Sequence, residues 1–437
     1  FKIEKNNDND NINLLFSGDQ LRSNAFFFLT ILISLKQKYF NILFPKIIEH
    51  HKSIPSNKVD LPIGNLFRNF ATQKLIGLKN YGATCYLNSL FQQMFMIPTF
   101  YQDLFRFNIN NKETNLSEST IYNMQLTFIN LKKSCMQYYT PINFIKSFKN
   151  AFNGEPISLG TQQDTDEFLS ILCDKLEKEA KVYGKENFLE NSFKGKITNE
   201  IVSLENEYPY YSQTEEPFYR ITLDIKGHKN LEDALDAYIQ GEILDGDNKY
   251  FVEKYNKKIS IKKRTTIKKI GNQIIIHLKR FEFNFVTFQN CKLNDYLKFP
   301  LKLNFKKWTR AYLRMNESNT NGMNNNNIIS KEEEENLNEE KMNYELTGIL
   351  VHSGTNLKSG HYYSFIKDQE TNKWYKFNDS QITEYDIDKD LEKDCFGNID
   401  NTANKFGKGA YLLFYTKQEC IESNKNYEKK NTNKIKE

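Results

Sequence analysis

Apolar positions recur at helical spacing through the first half of the chain and alternate with polar ones in the second. Leu87, Leu90, Phe91, Met94 and Phe95 fall on one helical face, with Pro98 as the stop. The same period predicts helices over 121–138 and 141–152. Another opens at Thr161, which with Asp164 matches a capping box; Phe168, Leu169, Leu172 and Leu176 supply its core face. Near Lys194 the period falls to two. Tyr219, Ile221, Leu223 and Ile225 alternate with polar neighbours, and a short helix follows over 231–240. Further strands are predicted over 273–278, 344–352, 362–367, 374–377 and 410–415. Helices first and strands second predict an α+β fold whose halves face each other.

Three stretches stand apart from this pattern. Residues 1–74 read as a helical N-terminal appendage, broken by Pro55, Pro62 and Gly64. Residues 314–341 carry a run of four Asn (324–327) and a run of four Glu (332–335), too little apolar surface to order a segment, so a disordered insertion is predicted. The polar tail 418–437 is predicted to be disordered as well. The apolar run 25–35 is too short to span a bilayer and reads as a buried core helix, so no membrane is implied. Among the 437 residues, 60 basic and 55 acidic side chains leave a net charge of only +5 without a basic stripe, which argues against nucleic acid. The six cysteines include no C-x-x-C pair, which excludes a thiolate metal knot and a dense disulfide framework and suits a reducing interior, cytoplasmic or nuclear. A start at Phe1 reads as a piece of a longer chain.

Candidate chemistry begins at Cys85, placed at a predicted helix N-terminus behind a glycine-containing loop. There the N–H groups and the helix dipole are expected to lower the thiol pKa and favour a nucleophilic thiolate. A buried structural cysteine is the alternative. Of six histidines, His50 and His51 read as surface, His228 as part of a turn and His277 as a core residue. His352 and His361 flank a glycine-rich loop at strand ends, where functional groups are commonly presented.

Separated blocks then carry a resemblance: GLKNYGATCYLNSL (77–90), QQDTDEFL (162–169), IIIHLKRF (274–281), and GHYYSF (360–365) with WYKFNDS (374–380). In this order they resemble the cysteine, Gln-Gln-Asp and histidine boxes and a core strand of the ubiquitin-specific proteases, which are papain-like cysteine deubiquitinases. The resemblance covers roughly 75–417. Glu216-Pro217-Phe218, Gly241-Glu242 and Lys263-Arg264-Thr265 look most like the large fat-facets type members. The resemblance implies a helical thumb over 75–200 and a β-rich palm and fingers over 201–313 and 342–417. It implies that Cys85 is the nucleophile, His361 the general base and later acid, Asn378 the residue that orients the imidazole, and Asp379 a supporting carboxylate. Asn80 and the Cys85 N–H would form the oxyanion hole. Gln163, Asp164 and Glu167 would meet the ubiquitin tail, and His352, Gly360 and Tyr362 would line a channel admitting two glycines.

The implied function is hydrolysis of the peptide or isopeptide bond after the C-terminal glycine of ubiquitin, through a thioester and without a cofactor, on ubiquitin and ubiquitinated proteins. The alternatives are a weak or inactive ubiquitin-binding scaffold, or a protease for another ubiquitin-like modifier. The family's fingers often hold zinc between two C-x-x-C pairs. Here those positions read Glu205, Tyr208, Val252 and Tyr255, so fingers without metal are expected, held by Tyr208, Tyr210, Tyr211, Tyr250, Phe251 and Tyr255.

Overall fold

The computed structural model describes residues 75–109, 115–134, 136–149, 155–190, 192–285, 288–321, 331–334, 337–356, 359–398 and 407–423. The chain divides into Phe1–Phe70 and Ala71–Glu437. The first unit, the appendage expected over 1–74 and the apolar run 25–35 lie outside the described residues.

In the helical half, Cys85–Phe95 buries Tyr86, Leu87, Leu90, Phe91 and Met94 as its period requires. Pro98 does more than stop this helix. It opens the next, Pro98–Leu104, from the first turn, where a missing N–H costs nothing. The Thr120–Lys133 helix is capped by Ser119, whose hydroxyl accepts the Tyr122 N–H at 3.0 Å. It is shorter than expected: Tyr138–Tyr139 leaves the helix to pair in parallel with Gly77–Leu78. The Thr165–Val182 helix starts at Asp164 and not at Thr161, because the extended Asp164 offers its own carboxylate to the N–H groups of Asp166 and Glu167. Phe91 is a hub of this half, with ring centroids 4.6 Å from Phe144, 6.2 Å from Phe128 and 6.4 Å from Phe168. Truncating such a ring to alanine costs about 3–5 kcal/mol.

The strand half is an eight-stranded sheet. Its order is Gln381–Tyr385, Trp374–Asn378, Ser359–Lys367, Asn343–Asn356, Lys408–Lys417, Gln273–Lys279 and Ile221–Asp224, with Lys302–Asn304 also pairing Asn343–Asn356. Only the last pair of that order is parallel. Ile275, Leu350, Tyr362, Tyr411 and Leu412 face the helical core. Ile276, Ile349, Val351, Leu413 and Tyr415 face a second core with Phe299, Phe305 and Trp308. Both faces are covered, so Gln273–Lys279 is buried from Gln273 to Leu278 and reads as a continuous apolar run. The α+β expectation holds, and the shared core seats the Cys85–Phe95 helix against the strand that carries His361.

A second sheet projects from this body, ordered Tyr211–Phe218, Gly195–Ser203, Ile261–Lys269 and Glu242–Leu244. Its apolar core is small: Val252, Ile259 and Ile261, with Tyr208, Tyr210, Tyr250 and Tyr255 packed on them. Two of the expected aromatics do other work. Phe251 is exposed, and the Tyr211 hydroxyl meets Arg314 and Glu200. Of the four positions that replace the family's zinc ligands, Glu205 and Tyr255 are committed to other partners. Glu205 accepts the Lys249 ammonium and the Ser260 N–H, both at 2.8 Å, Tyr255 donates to the Pro209 carbonyl at 2.7 Å, and Val252 has no donor atom. That set does not fit a tetrahedral metal site.

The expectation of disorder over 314–341 is corrected for its described parts. Arg310–Asn321 and Lys331–Glu334 are helical. Arg310 and Arg314 each reach Glu200 at 2.9 Å, and Glu333 pairs with Arg310 at 2.7 Å. Apolar surface alone does not order this segment; its charge pairs do. The Asn run lies outside the described residues. The tail is also ordered at its start, since 418–423 is helical with Ile421 buried; residues 424–437 lie outside the described residues. Among the described residues no helix is long and apolar enough to cross a membrane.

Candidate active site

Glycine sets the approach of the two halves. A Cβ on Gly77 would stand 2.6 Å from the Ser380 backbone, so only glycine lets this strand lie against the turn after Asn378. Leu78 then donates its N–H to the Asp379 carbonyl at 2.9 Å. Farther on, Gly82 (φ +80°) and Ala83 (φ +50°) turn left-handed, and a Cβ on Gly82 would meet the Leu159 carbonyl at 2.3 Å. The loop delivers Cys85 to the first turn of its helix, near the backbone N–H groups of Tyr362, Tyr86 and Cys85, which favour the thiolate.

The imidazole of His361 stands on the adjoining strand. Its Nε2 is 2.6 Å from Asn378 Oδ1 and 3.8 Å from Asp379 Oδ2. An amide oxygen only accepts, so Nε2 carries the proton and Nδ1 keeps its lone pair. Asp379 sits in the left-handed region (φ +50°), which aspartate tolerates better than most residues. Its carboxylate accepts Asn80 Nδ2 at 3.0 Å and Asn88 Nδ2 at 2.8 Å. Asn80 Oδ1 in turn accepts the Thr84 N–H at 3.1 Å, so one amide braces the cysteine loop and the carboxylate together.

The expected depression of the thiol pKa is corrected. Cys85 is only 3% exposed, and burial pushes its thiol above the ordinary value. The surrounding N–H groups pull it down by less than burial raises it, and the nearby Asp379 carboxylate adds to the rise. A helix start alone does not make a thiolate when the sulfur is sealed from water.

Other expected site residues fall in distinct places. Asp164 has both carboxylate oxygens engaged, one in the helix cap and the other with the Tyr411 hydroxyl at 2.7 Å. Glu167 is exposed one turn on, its carboxyl pushed up by burial, Asp164 and Asp166. Gln163 is half-buried just ahead of the cap. His352 and Tyr362 do not line an open channel. Both are wholly buried, with ring centroids 4.7 Å apart, because His352 lies inside a strand covered by Phe281 and Tyr362 points into the helical core. Burial, with Lys292 and His361 nearby, lowers the His352 pKa to about 3, so the ring is neutral. Gly360 is exposed, and a Cβ there would strike the His352 ring at 2.3 Å. His277 is a core residue as read, neutral with a pKa pulled to about 4 by burial.

Sequence reasoning missed Asn88, Gln92 and Gln93. These buried polar side chains bind Asp379, the Ile76 carbonyl and the Phe365 carbonyl, respectively. The signal was available. Amides at i and i+4 inside an otherwise apolar helix are costly unless each has a partner.

A family model described as "Ubiquitin carboxyl-terminal hydrolase" matches residues 76–415. Ubiquitin carboxyl-terminal hydrolase 24 of Mus musculus is 34% identical over 387 residues, which is 84% of this chain and 14% of that relative. Ubiquitin carboxyl-terminal hydrolase 9Y of Homo sapiens is 32% identical over 409 residues, covering 79% of this chain and 16% of the relative. Probable ubiquitin carboxyl-terminal hydrolase FAF of Drosophila melanogaster is 29% identical over 422 residues, covering 82% and 15%. This chain thus spans between 14% and 16% of the length of these relatives.

Proposed function

The chain belongs to the ubiquitin carboxyl-terminal hydrolase family, and from that membership we propose that it is a cysteine-type deubiquitinase cleaving after the C-terminal glycine of ubiquitin. One observation carries the mechanism: Asn378 holds His361 at 2.6 Å through Nε2, on a strand whose next residue, Tyr362, shares a core with Cys85. Nδ1, which keeps its lone pair, is the base in this reading. With substrate seated, Nδ1 takes the Cys85 proton and the sulfur attacks the terminal carbonyl carbon. The C–N bond breaks as His361 returns that proton to the departing lysine amine. Water, deprotonated by His361, hydrolyses the thioester and regenerates the thiol.

The oxyanion is met by the Cys85 N–H and the Asn80 amide. Asn80 Nδ2 carries two hydrogens, of which Asp379 takes one. The exposed Glu167 is the direct contact for the cationic ubiquitin tail. Asp164, committed to its cap and to Tyr411, contributes its field. Gln163 flanks the same entry, and the exposed Gly360 lies beside His361 on the way to it. The partners are ubiquitin and ubiquitinated proteins, met in the reducing cytoplasm or nucleus.

A ubiquitin bearing an electrophile at its C-terminus tests this reading. Wild type is expected to form a covalent adduct that disappears in Cys85→Ala. Absence of an adduct on wild type overturns the catalytic reading in favour of an inactive binding scaffold.

A further inference from the structure

Lys292 has no place in the mechanism above, yet it occupies an unusual position. It ends the strand Gln289–Lys292 of a two-stranded hairpin whose other strand is Phe281–Asn284. Its ammonium donates to three backbone carbonyls: His352 at 3.0 Å, Gly354 at 3.1 Å and Gly407 at 2.7 Å. Three protons meet three acceptors, which an ammonium does and no neutral side chain of that length can. Burial, then the neighbouring Arg280 guanidinium, pulls its pKa down to about 7.

The carbonyls are not arbitrary ones. His352 and Gly354 flank Ser353, and Ser353 is the Cα partner of His361 across the antiparallel ladder. The register breaks directly after that pair, with the next partners at Asn356 and Ser359. On the other side, Ser353 is paired with Lys408, the first residue of its strand, and the Gly407 carbonyl also accepts the Gly354 N–H at 3.1 Å. The ladder beside His361 therefore breaks on one side and ends on the other at one point, and Lys292 closes that point. Its own strand partner, Phe281, lies with its ring 5.2 Å from the His352 ring, so the clamp is braced from below.

We propose that Lys292 is a positioning residue for the reaction, a three-carbonyl clamp that holds the backbone opposite His361 and thereby fixes the imidazole against Cys85. The proposal rests on the deubiquitinase reading. Loss of the clamp leaves substrate-contacting surfaces in place and misplaces the base, so it acts on kcat and not on KM.

The test is steady-state hydrolysis of a ubiquitin carrying a fluorogenic amide at its C-terminus, by wild type, Lys292→Met and Lys292→Arg, with melting curves and hydrogen exchange over 352–361 on the same preparations. Turnover by wild type is required first; a silent wild type refutes the deubiquitinase reading itself. Given wild-type turnover, Lys292→Met is expected to lose about tenfold to a hundredfold in kcat with KM little changed. Exchange over 352–361 should rise while the melting curve stays cooperative. Lys292→Arg, a charged donor whose planar fork cannot serve three convergent carbonyls, should recover part of the loss. Wild-type kcat in both variants overturns the proposal, and so does a change confined to KM. Failure of both variants to fold also overturns it, by assigning Lys292 to the fold and not to His361.

Discussion

Asp379, half-buried, and Glu200, buried, are carboxylates at the centre of polar networks, and they are satisfied in opposite ways. Asp379 takes two neutral amides, Asn80 and Asn88, keeps 16% of its side chain exposed and remains 3.8 Å from the His361 ring. Glu200 is wholly buried and takes three guanidinium groups, from Arg264, Arg310 and Arg314, each at 2.9 Å. Burial raises the Glu200 carboxyl, and the three arginines outweigh it and hold the group below the ordinary value. Neutral donors orient a charge without quenching it, which suits a group beside an imidazole that must gain and lose a proton. Guanidinium groups saturate the charge, which suits a fastener. The Glu200 network joins two strands of the projecting sheet to a helix of the insertion.

That contrast can be broken by experiment. The largest effect is expected from Glu200→Ala, which takes the shared carboxylate from three buried guanidinium groups and should cost about 3–5 kcal/mol of stability. Denaturant unfolding measures it, and the turnover of the protein that remains folded should be close to wild type. Asn80→Ala should behave in the opposite manner. Its kcat should fall about 10²–10³-fold, equivalent to about 2.7–4 kcal/mol of barrier, with the unfolding midpoint little changed. Equal stability losses in the two variants would erase the distinction.

Acid sharpens the same comparison. His352 binds its proton near pH 6.5 when unfolded and near 3 when folded, so the unfolded state holds more protons between these values. Stability on that side therefore falls as pH drops through this window, by up to about 1.4 kcal/mol per pH unit. Glu200 has a folded pKa below its unfolded 4.5, so its contribution is kept until the pH drops past that value. Hydrogen exchange at mildly acid pH should then open Asn343–Asn356 before Gly195–Ser203, and His352→Gln should delay the first opening. Simultaneous opening of both strands would count against the account. The smallest effect belongs to the aromatic packing of the fingers. Tyr208 stacks edge-on to Tyr255 at 5.4 Å, and Tyr208→Ala should cost about 0.5–1.5 kcal/mol beyond its lost area, seen as a lower melting temperature.

The two networks also differ in how far they could be read from the chain. Asn80, Cys85 and Asn88 share one short stretch, and Asn378 and Asp379 another, so local motifs named most of the active-site hub. Asn88 is flagged by its place in an apolar helix, and its partner, Asp379, 291 positions away, is not. The Glu200 network escaped altogether. Its members lie in a plain alternating strand and in a segment whose composition argues against order, and nothing local announces that Arg310 and Arg314 fold back on a carboxylate 110 and 114 positions away. The raised pKa of Cys85 is hidden from the sequence for a related reason. A helix start is visible in sequence, and the sealing of the sulfur by Tyr362 and the sheet is not. The α+β class followed from period alone because each element repeats it over many residues.

The most direct measurement of the central claim is the intact mass of the protein during turnover of a ubiquitin C-terminal ester, quenched in acid within the first turnover. Wild type is expected to carry a one-ubiquitin adduct that neutral hydroxylamine removes, located at Cys85 by fragmentation and absent from Cys85→Ala. Hydrolysis that proceeds with no adduct, or an adduct that persists in Cys85→Ala, would contradict it.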